Sequence, residues 1–166
     1  MNIELFKDAI EIVDGIPSHR IRLTYWQDDV RFGSEQPDKY YVRKPKHIVD
    51  SLRCCPGGWL CLHPKMRNLG LHANRKECGE PTYIRFHGAE ALAAFFYITD
   101  AEADDLFAPR ESTVSLRVSD KVLWRYRALI LLAQYQSRSG DHGEALLNQT
   151  RAANLMNAQF PETSVL

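Results

Sequence analysis

The strongest constraint on the fold lies in residues 88–109, where the pattern predicts two short helices joined by a tight turn. Apolar residues and small alanines follow helical spacing in the first half. Thr99 then stands three residues before Glu102, which is the spacing of a capping box, and Pro109 ends the second helix. This segment, named the hairpin below, is expected to pack its apolar side against the rest of the chain.

Three further helices are predicted at the two ends of the chain. Near the N-terminus, Asn2 can cap an amphipathic helix that Gly15 ends. In the C-terminal third, the pattern predicts helices over about residues 119–139 and 141–160, separated by Gly140. The first of this pair has a wide apolar stripe, which favours a place at the centre of the fold.

A minor β-element is predicted near the N-terminal half. Apolar and polar residues alternate from Ile21 to Tyr25, and a second β-prone run follows at residues 40–42. Residues 32–37 and 73–81 are rich in glycine, proline and polar side chains and are predicted to be loops.

Length and composition set the fold class. With 166 residues, of which 45% are hydrophobic, the chain can bury one sizeable core. The sequence therefore predicts a mainly α-helical single domain over residues 1–166, a helical bundle with the minor β-element. No apolar run approaches the roughly 18 to 20 residues of a membrane helix. The first 15 residues carry four acidic groups and lack the basic start of a secretory signal. We expect a cytoplasmic protein without membrane contact, whose cysteines are thiols.

The net charge of zero conceals a segregation of charge along the chain. Residues 39–85 hold ten basic and three acidic residues, whereas residues 86–111 hold six acidic residues and one basic residue. Such blocks can form opposite faces for charged partners, or they can neutralise one another within an ordinary solvated surface. Both interpretations stay open at this point.

The hairpin has the layout of a DNA-binding helix-turn-helix, but its second helix has the wrong charge. A recognition helix presents basic or amide side chains to base edges and phosphates. Here the second helix presents carboxylates, which repel phosphate and suit a basic protein partner: Asp100, Glu102, Asp104 and Asp105. The competing interpretation is a hairpin that only supports the fold.

An alternative function, direct binding of nucleic acid, is indicated by aromatic residues that lie among the basic residues of 39–85. Aromatic rings can stack on bases while cations bind phosphates. The candidate contacts are Tyr40, Tyr41, Arg43, Lys44, Lys46, Lys65 and Arg67. Otherwise the aromatic residues Trp59 and Tyr83 belong to the core and the lysines are solvated.

Six cysteine and histidine residues fall within residues 54–78, which raises a second alternative, a small metal-dependent enzyme. The spacing fits zinc poorly, because no Cys-x2-Cys or His-x3-His unit occurs. The candidate ligands are Cys55, Cys61, His63, His72 and Cys78. In the competing interpretation, the cysteines are small buried apolar residues. No catalytic residue and no cofactor is assigned, since no nucleophile–base pair or phosphate loop is specific enough.

Two segments have a distinctive residue order: Cys55-Pro-Gly-Gly-Trp-Leu-Cys-Leu-His-Pro64 and residues 86–109. Together they resemble a group of small uncharacterised proteins of phages and bacterial mobile elements. That group has Cys-x-x-Gly-Trp before a helix, then an apolar helix ending in Phe-x-Ile-Thr and an acidic helix ending in Leu-Phe-x-Pro. The matching residues here are Cys55, Gly58, Trp59, Phe95, Ile98, Thr99, Leu106, Phe107 and Pro109.

The resemblance implies a setting in a bacterial host, since accessory proteins of mobile elements often bind and block a host component. By this analogy we expect a non-catalytic protein-binding factor in the bacterial cytoplasm. It would act as an inhibitor of a defence system, in the manner of an anti-CRISPR protein. The expected partner is a host protein or a protein–nucleic-acid complex. The glycines, the tryptophan and the caps of the shared motifs are expected to support the fold.

Overall fold

The computed structural model describes residues 1–24, 26–29, 52–74, 79–108 and 118–159. Seven α-helices lie in this part, in chain order α1 (Ile3–Asp14), α2 (Pro56–Leu62), α3 (Pro64–Asn68), α4 (Gly88–Phe96), α5 (Asp100–Phe107), α6 (Asp120–Arg138) and α7 (His142–Asn157). Five short strands accompany them: β1 (Gln27–Asp29), β2 (Leu52–Cys54), β3 (His72–Ala73), β4 (Pro81–Tyr83) and β5 (Phe86–His87). The fold is mainly α-helical with a minor β component, as the sequence predicts.

The strands form two small antiparallel sheets. One pairs β1 with β2. The other has the order β3-β4-β5, and in it Tyr83 lies opposite Phe86, on either side of the two-residue turn between β4 and β5. Of the extended run predicted from Ile21, only Ile21 itself pairs, through an isolated bridge to Cys54, and residues 22–24 form no strand. Tyr25 and residues 40–42, the rest of the predicted β-element, lie outside the described residues.

The first helix is capped and buried as its sequence requires. The Asn2 side chain accepts a hydrogen bond from the Leu5 N–H at 3.2 Å, and Phe6, Ile10 and Val13 are buried. The Lys121 ammonium on α6 donates to two carbonyl oxygens at the C-terminal end of this helix, that of its last residue, Asp14, at 2.6 Å and that of Ile16, two residues on, at 2.7 Å. A single side chain therefore satisfies carbonyl groups that a helix end leaves open.

A row of aromatic rings joins four helices in the core. The ring centroids of Phe6 and Phe96 are 5.5 Å apart, those of Phe96 and Phe107 are 5.6 Å apart, and those of Phe107 and Trp124 are 6.2 Å apart. All four side chains are buried. The row fixes both helices of the hairpin between α1 and α6, so the outer side of α5 is held in one orientation.

The last two helices pack side by side around a buried polar contact. The Asn148 amide donates to Gln136 Oε1 at 2.9 Å, and both side chains are buried. Gly140 lies between the helices with a φ of 88°, and the Asp141 carboxylate accepts from the Glu144 N–H at 3.3 Å to cap α7. The helices cover residues 120–138 and 142–157, slightly less than predicted, and residues after 159 lie outside the described part.

The glycines of the Cys-Pro-Gly-Gly-Trp segment are explained by close packing. A Cβ on Gly58 would lie only 1.7 Å from the Trp26 carbonyl oxygen, and one on Gly57 would collide with the Trp26 ring. The Trp59 indole N–H donates to the Arg20 carbonyl oxygen at 3.2 Å. This motif therefore supports the fold.

Among the described helices, none is both long and apolar enough to cross a membrane.

Candidate protein-binding surface

The helix α5 presents its acidic side chains outward. Ala103, Leu106 and Phe107 are buried, whereas three of the four predicted partner-binding residues are exposed: Asp100, Asp104 and Asp105. These three carboxylates are named the acidic face below. Glu102 lies on the same helix but is only partly exposed, so the four residues do not form one uniform set.

The hydrogen bonds of Glu102 hold the hairpin together. Its Oε2 accepts from the Thr99 N–H at 2.9 Å, and its own N–H donates to Thr99 Oγ1 at 3.2 Å, so the capping box that the sequence predicts is formed. The same Oε2 also accepts from the Tyr135 hydroxyl of α6 at 2.7 Å. Glu102 therefore ties α5 to the helix beneath it.

The hydrogen bonds of Glu102 also set its charge. Partial burial acts to raise the pKa of the Glu102 carboxyl, but the hydrogen bonds from the Thr99 backbone and the Tyr135 hydroxyl outweigh burial and lower it. Partial burial and the bond to Glu102 raise the pKa of the Tyr135 phenol in turn. Glu102 is consequently ionised near neutral pH, and its charge stabilises the turn.

The remaining carboxylates divide according to their position on the helix. Asp100 lies in the first turn, where the helix dipole favours a negative charge. Asp104 and Asp105 lie in the last turn, which contains no basic residue and where the dipole favours cations. Asp100 and Asp104 are also one turn apart on the same side, a like-charge spacing that weakens helices slightly. The helix dipole thus favours a carboxylate at Asp100 and disfavours carboxylates at Asp104 and Asp105.

Tyr97 adjoins this face at the turn between α4 and α5. Its backbone is left-handed, with φ 55° and ψ 49°, and its side chain is 69% exposed. Glycine is the usual residue at such a helix end because a side chain makes the left-handed conformation unfavourable. A bulky residue held there costs on the order of 1–3 kcal/mol, and such strain is typically found at functional sites.

Ile84 repeats this combination in the turn between β4 and β5. Its φ is 57° and its side chain is 82% exposed. Two-residue hairpin loops with a positive φ at this position normally contain glycine, asparagine or aspartate. A β-branched residue with positive φ is a genuine exception. Within the described part of the chain, Ile84 and Tyr97 are the two non-glycine residues with positive φ.

The candidate nucleic-acid contacts are described only in part. Tyr40, Tyr41, Arg43, Lys44 and Lys46 lie outside the described residues, whereas Lys65 and Arg67 lie on α3 and are exposed. The Lys65 ammonium is 2.6 Å from Asp8 Oδ2, an ion pair that partly neutralises it. The two cations on α3 therefore provide a modest positive surface.

Three of the candidate metal ligands have structural roles: Cys55, Cys61 and His63. The Cys55 thiol caps α2, accepting from the Gly58 N–H at 3.4 Å, and His63 Nδ1 accepts from the Lys65 N–H at 3.3 Å. Burial raises the pKa of the Cys55 thiol to about 12 and that of the Cys61 thiol well above its usual range. Zinc binds thiolates, which these surroundings disfavour.

The other two candidate ligands complete this account of the metal site. His72 is exposed on β3, and Cys78 lies outside the described residues. Among the described residues, no three ligand side chains are placed to share a metal ion.

Comparisons of the chain with protein-family models, with curated proteins and with solved structures give no match. Sequence reasoning identified the carboxylates of α5 and missed the two strained apolar residues. Ile84 and Tyr97 break no helical or strand periodicity, and the two-residue turn that makes Ile84 unusual becomes visible only once Tyr83 is seen opposite Phe86.

Proposed function

We propose that this protein is a non-catalytic binding factor whose acidic face holds a basic surface of a protein partner. The observation that carries the proposal is that three exposed carboxylates lie on one short helix whose apolar residues are buried: Asp100, Asp104 and Asp105. A basic protein surface has the charge that complements such a group of carboxylates. Carboxylates grouped in this way also speed the encounter with an oppositely charged surface.

The resemblance to proteins of mobile elements suggests which partner this is. Proteins that hold nucleic acid do so largely through lysine and arginine side chains that neutralise phosphates. Carboxylates spaced along α5 can take the place of those phosphates in such a groove. The protein then acts as an accessory factor of a phage or mobile element that blocks a host component in the bacterial cytoplasm, with a nucleic-acid-guided defence complex as the expected target.

The proposal is tested by reversing charge at the last turn while leaving Glu102 in place. The variant D104K/D105K is compared with E4K/E11K, which changes the net charge equally on α1. Each protein is immobilised and exposed to bacterial lysate at low salt. A retained protein is then identified, purified and titrated against the wild type and both variants. We expect D104K/D105K to lose roughly tenfold or more in affinity, because attraction becomes repulsion, and E4K/E11K to lose little.

Thermal unfolding separates this effect from a loss of fold. The exposed last turn of α5 accepts lysine, so D104K/D105K should still unfold in one cooperative transition, within about 5 °C of the wild type. Equal affinity of the wild type and D104K/D105K would contradict the proposal. Binding of oligonucleotides that weakens steeply with salt, in place of protein capture, would favour the alternative function through the basic residues.

A further inference from the structure

Arg20 is a buried cation in the short 3-10 helix Ser18–Arg20 that follows α1. Only 9% of the residue is exposed, although arginine is seldom buried unless it is paired. Within the described part of the chain, its Nε and Nη2 atoms are buried and have no hydrogen-bond partner. The ion pairs between described residues do not include Arg20 either. A charge taken out of water in this way is costly, so a compensating group of opposite charge is expected beside it.

The two atoms without a partner belong to one edge of the guanidinium plane. On that edge the Nε–H and one Nη2–H bond run parallel to each other. Their spacing matches two oxygen atoms of a carboxylate or of a phosphate group, which accept both bonds at once. The unused hydrogen-bonding capacity of Arg20 is therefore a complete bidentate fork for an oxyanion.

Trp59, on α2, holds Arg20 from two sides. The Arg20 Cζ lies over the Trp59 ring, 5.2 Å from its centroid, and the Trp59 indole N–H donates to the Arg20 carbonyl oxygen at 3.2 Å. The ring attracts the cation but has no formal charge that would neutralise it. Because the fork is already held in one orientation, it loses little freedom when it binds an anion.

The charged residues that the backbone brings near Arg20 have the same sign. Arg22 is two residues away, and its N–H donates to the Cys54 carbonyl oxygen at 3.0 Å. Arg53, on β2, directly precedes Cys54. These cations do not compensate the charge of Arg20, and they make the local potential more favourable for an anion.

We propose that Arg20 anchors a binding site for a small molecule that carries a carboxylate or phosphate group. The Nε and Nη2 atoms are buried, so the anionic group of the ligand lies inside the protein, where few other dipoles screen the interaction. None of the residues in this argument belongs to the acidic face, and the site and the proposed function can fail independently of each other.

The test titrates the wild type with sodium phosphate and with sodium acetate, each compared with sodium chloride at the same ionic strength. Nitrogen-15 NMR follows the Arg20 Nε–H resonance, which is identified by its absence in Arg20→Lys. We expect this resonance to shift saturably with at least one oxyanion. The melting temperature should rise by roughly 5 °C or more once that anion reaches about a hundredfold its dissociation constant. A response to phosphate alone indicates a phosphorylated ligand, and a response to acetate alone indicates a carboxylic acid.

Three variants separate the fork from the charge. Arg20→Met keeps an unbranched side chain beside Trp59, and in chloride it should melt at or above the wild type, since an uncompensated buried charge is gone. Neither oxyanion should raise its melting temperature. Arg20→Lys keeps the charge without the paired N–H groups and should lose most of the response. Arg22→Met changes the net charge equally and should keep the full response.

Three results would overturn the proposal. The first is an Arg20 Nε–H resonance and a melting temperature that do not differ among the three salts. The second is an Arg20→Met variant that melts well below the wild type in every salt, because Arg20 would then already be paired within the folded chain. The third is an equal rise in the melting temperature of the wild type and Arg20→Met, which would place the anion elsewhere.

Discussion

The helix pairs α4–α5 and α6–α7 each have a residue with a positive φ at the connecting turn, but the residue type differs. Between α6 and α7, the positive φ belongs to Gly140, around which an added Cβ would meet nothing within 4 Å. Between α4 and α5, it belongs to Tyr97, whose ring is exposed. In both turns, a side chain then caps the next helix, Asp141 in one and Thr99 in the other.

At the turn between α6 and α7, the residue with a positive φ suits its backbone conformation, whereas at the turn between α4 and α5 it does not. Gly140 is the residue that a left-handed helix end favours, and no other demand is visible at that position. Tyr97 departs from this preference three residues before Asp100, the first exposed carboxylate of α5. Departures from local preference without a gain in packing are the places where function is expected.

The largest expected effect concerns the contact that holds α6 to α7. Asn148→Ala removes the amide that donates to Gln136 and leaves the Gln136 side chain buried without that donor. We expect a loss of about 1–3 kcal/mol in the free energy of unfolding, the cost of an unsatisfied buried polar group. Urea denaturation measures it. Asn154→Ala, the same change at an exposed position of α7, should be nearly neutral.

Exchanging the turn residues tests the comparison directly. Gly140→Tyr should lower the free energy of unfolding by roughly 1–2 kcal/mol, because the left-handed backbone then carries a side chain. Gly143→Ala, in the open first turn of α7, provides the contrast and should raise it by about 0.5–1 kcal/mol, since alanine favours the helix. If Gly140→Tyr were neutral, strain could not be the reason that Tyr97 is unusual.

The smallest effect is a pH dependence at the cap of the hairpin. The pKa of Glu102 is lower in the folded protein than its usual value of 4.5. Its charge therefore contributes stability above that value, and this contribution is lost as the pH falls through the lowered folded-state pKa. The melting temperature of the wild type should exceed that of Glu102→Gln near neutral pH, and the two should converge once the pH falls below the lowered folded-state pKa. A difference independent of pH would contradict this role of the ionised carboxylate.

Local patterns in the sequence predicted much of the helical fold. Asn2, Thr99 and Asp141 all form caps, because a cap depends on residues within one turn of the chain. The three-stranded sheet at residues 72–87 was missed, since strands of two or three residues are too short to show alternation. Of the loop predicted at residues 73–81, Ala73 and Pro81 belong to β3 and β4, residues 74, 79 and 80 lie outside the strands, and residues 75–78 lie outside the described part.

The candidate surface was only partly predictable for a related reason. The carboxylates of α5 can be predicted from the sequence. The hydrogen bond that Glu102 accepts from Tyr135 cannot, because the two residues are 33 positions apart. The exposed side chains of Ile84 and Tyr97 stand out only through the positive φ angles of their backbones, which the local sequence gives no reason to expect. Long-range packing decides these features, and local composition does not reveal it.

In the proposed function, the acidic last turn of α5 binds a basic protein surface. The most direct measurement is the dissociation constant of the captured, purified partner for the wild type and for D104K/D105K at low and high salt. We expect a wild-type affinity that weakens with salt, and a loss of roughly tenfold or more in the variant that shrinks as salt screens the charges. Equal dissociation constants for the two chains at low salt would contradict it.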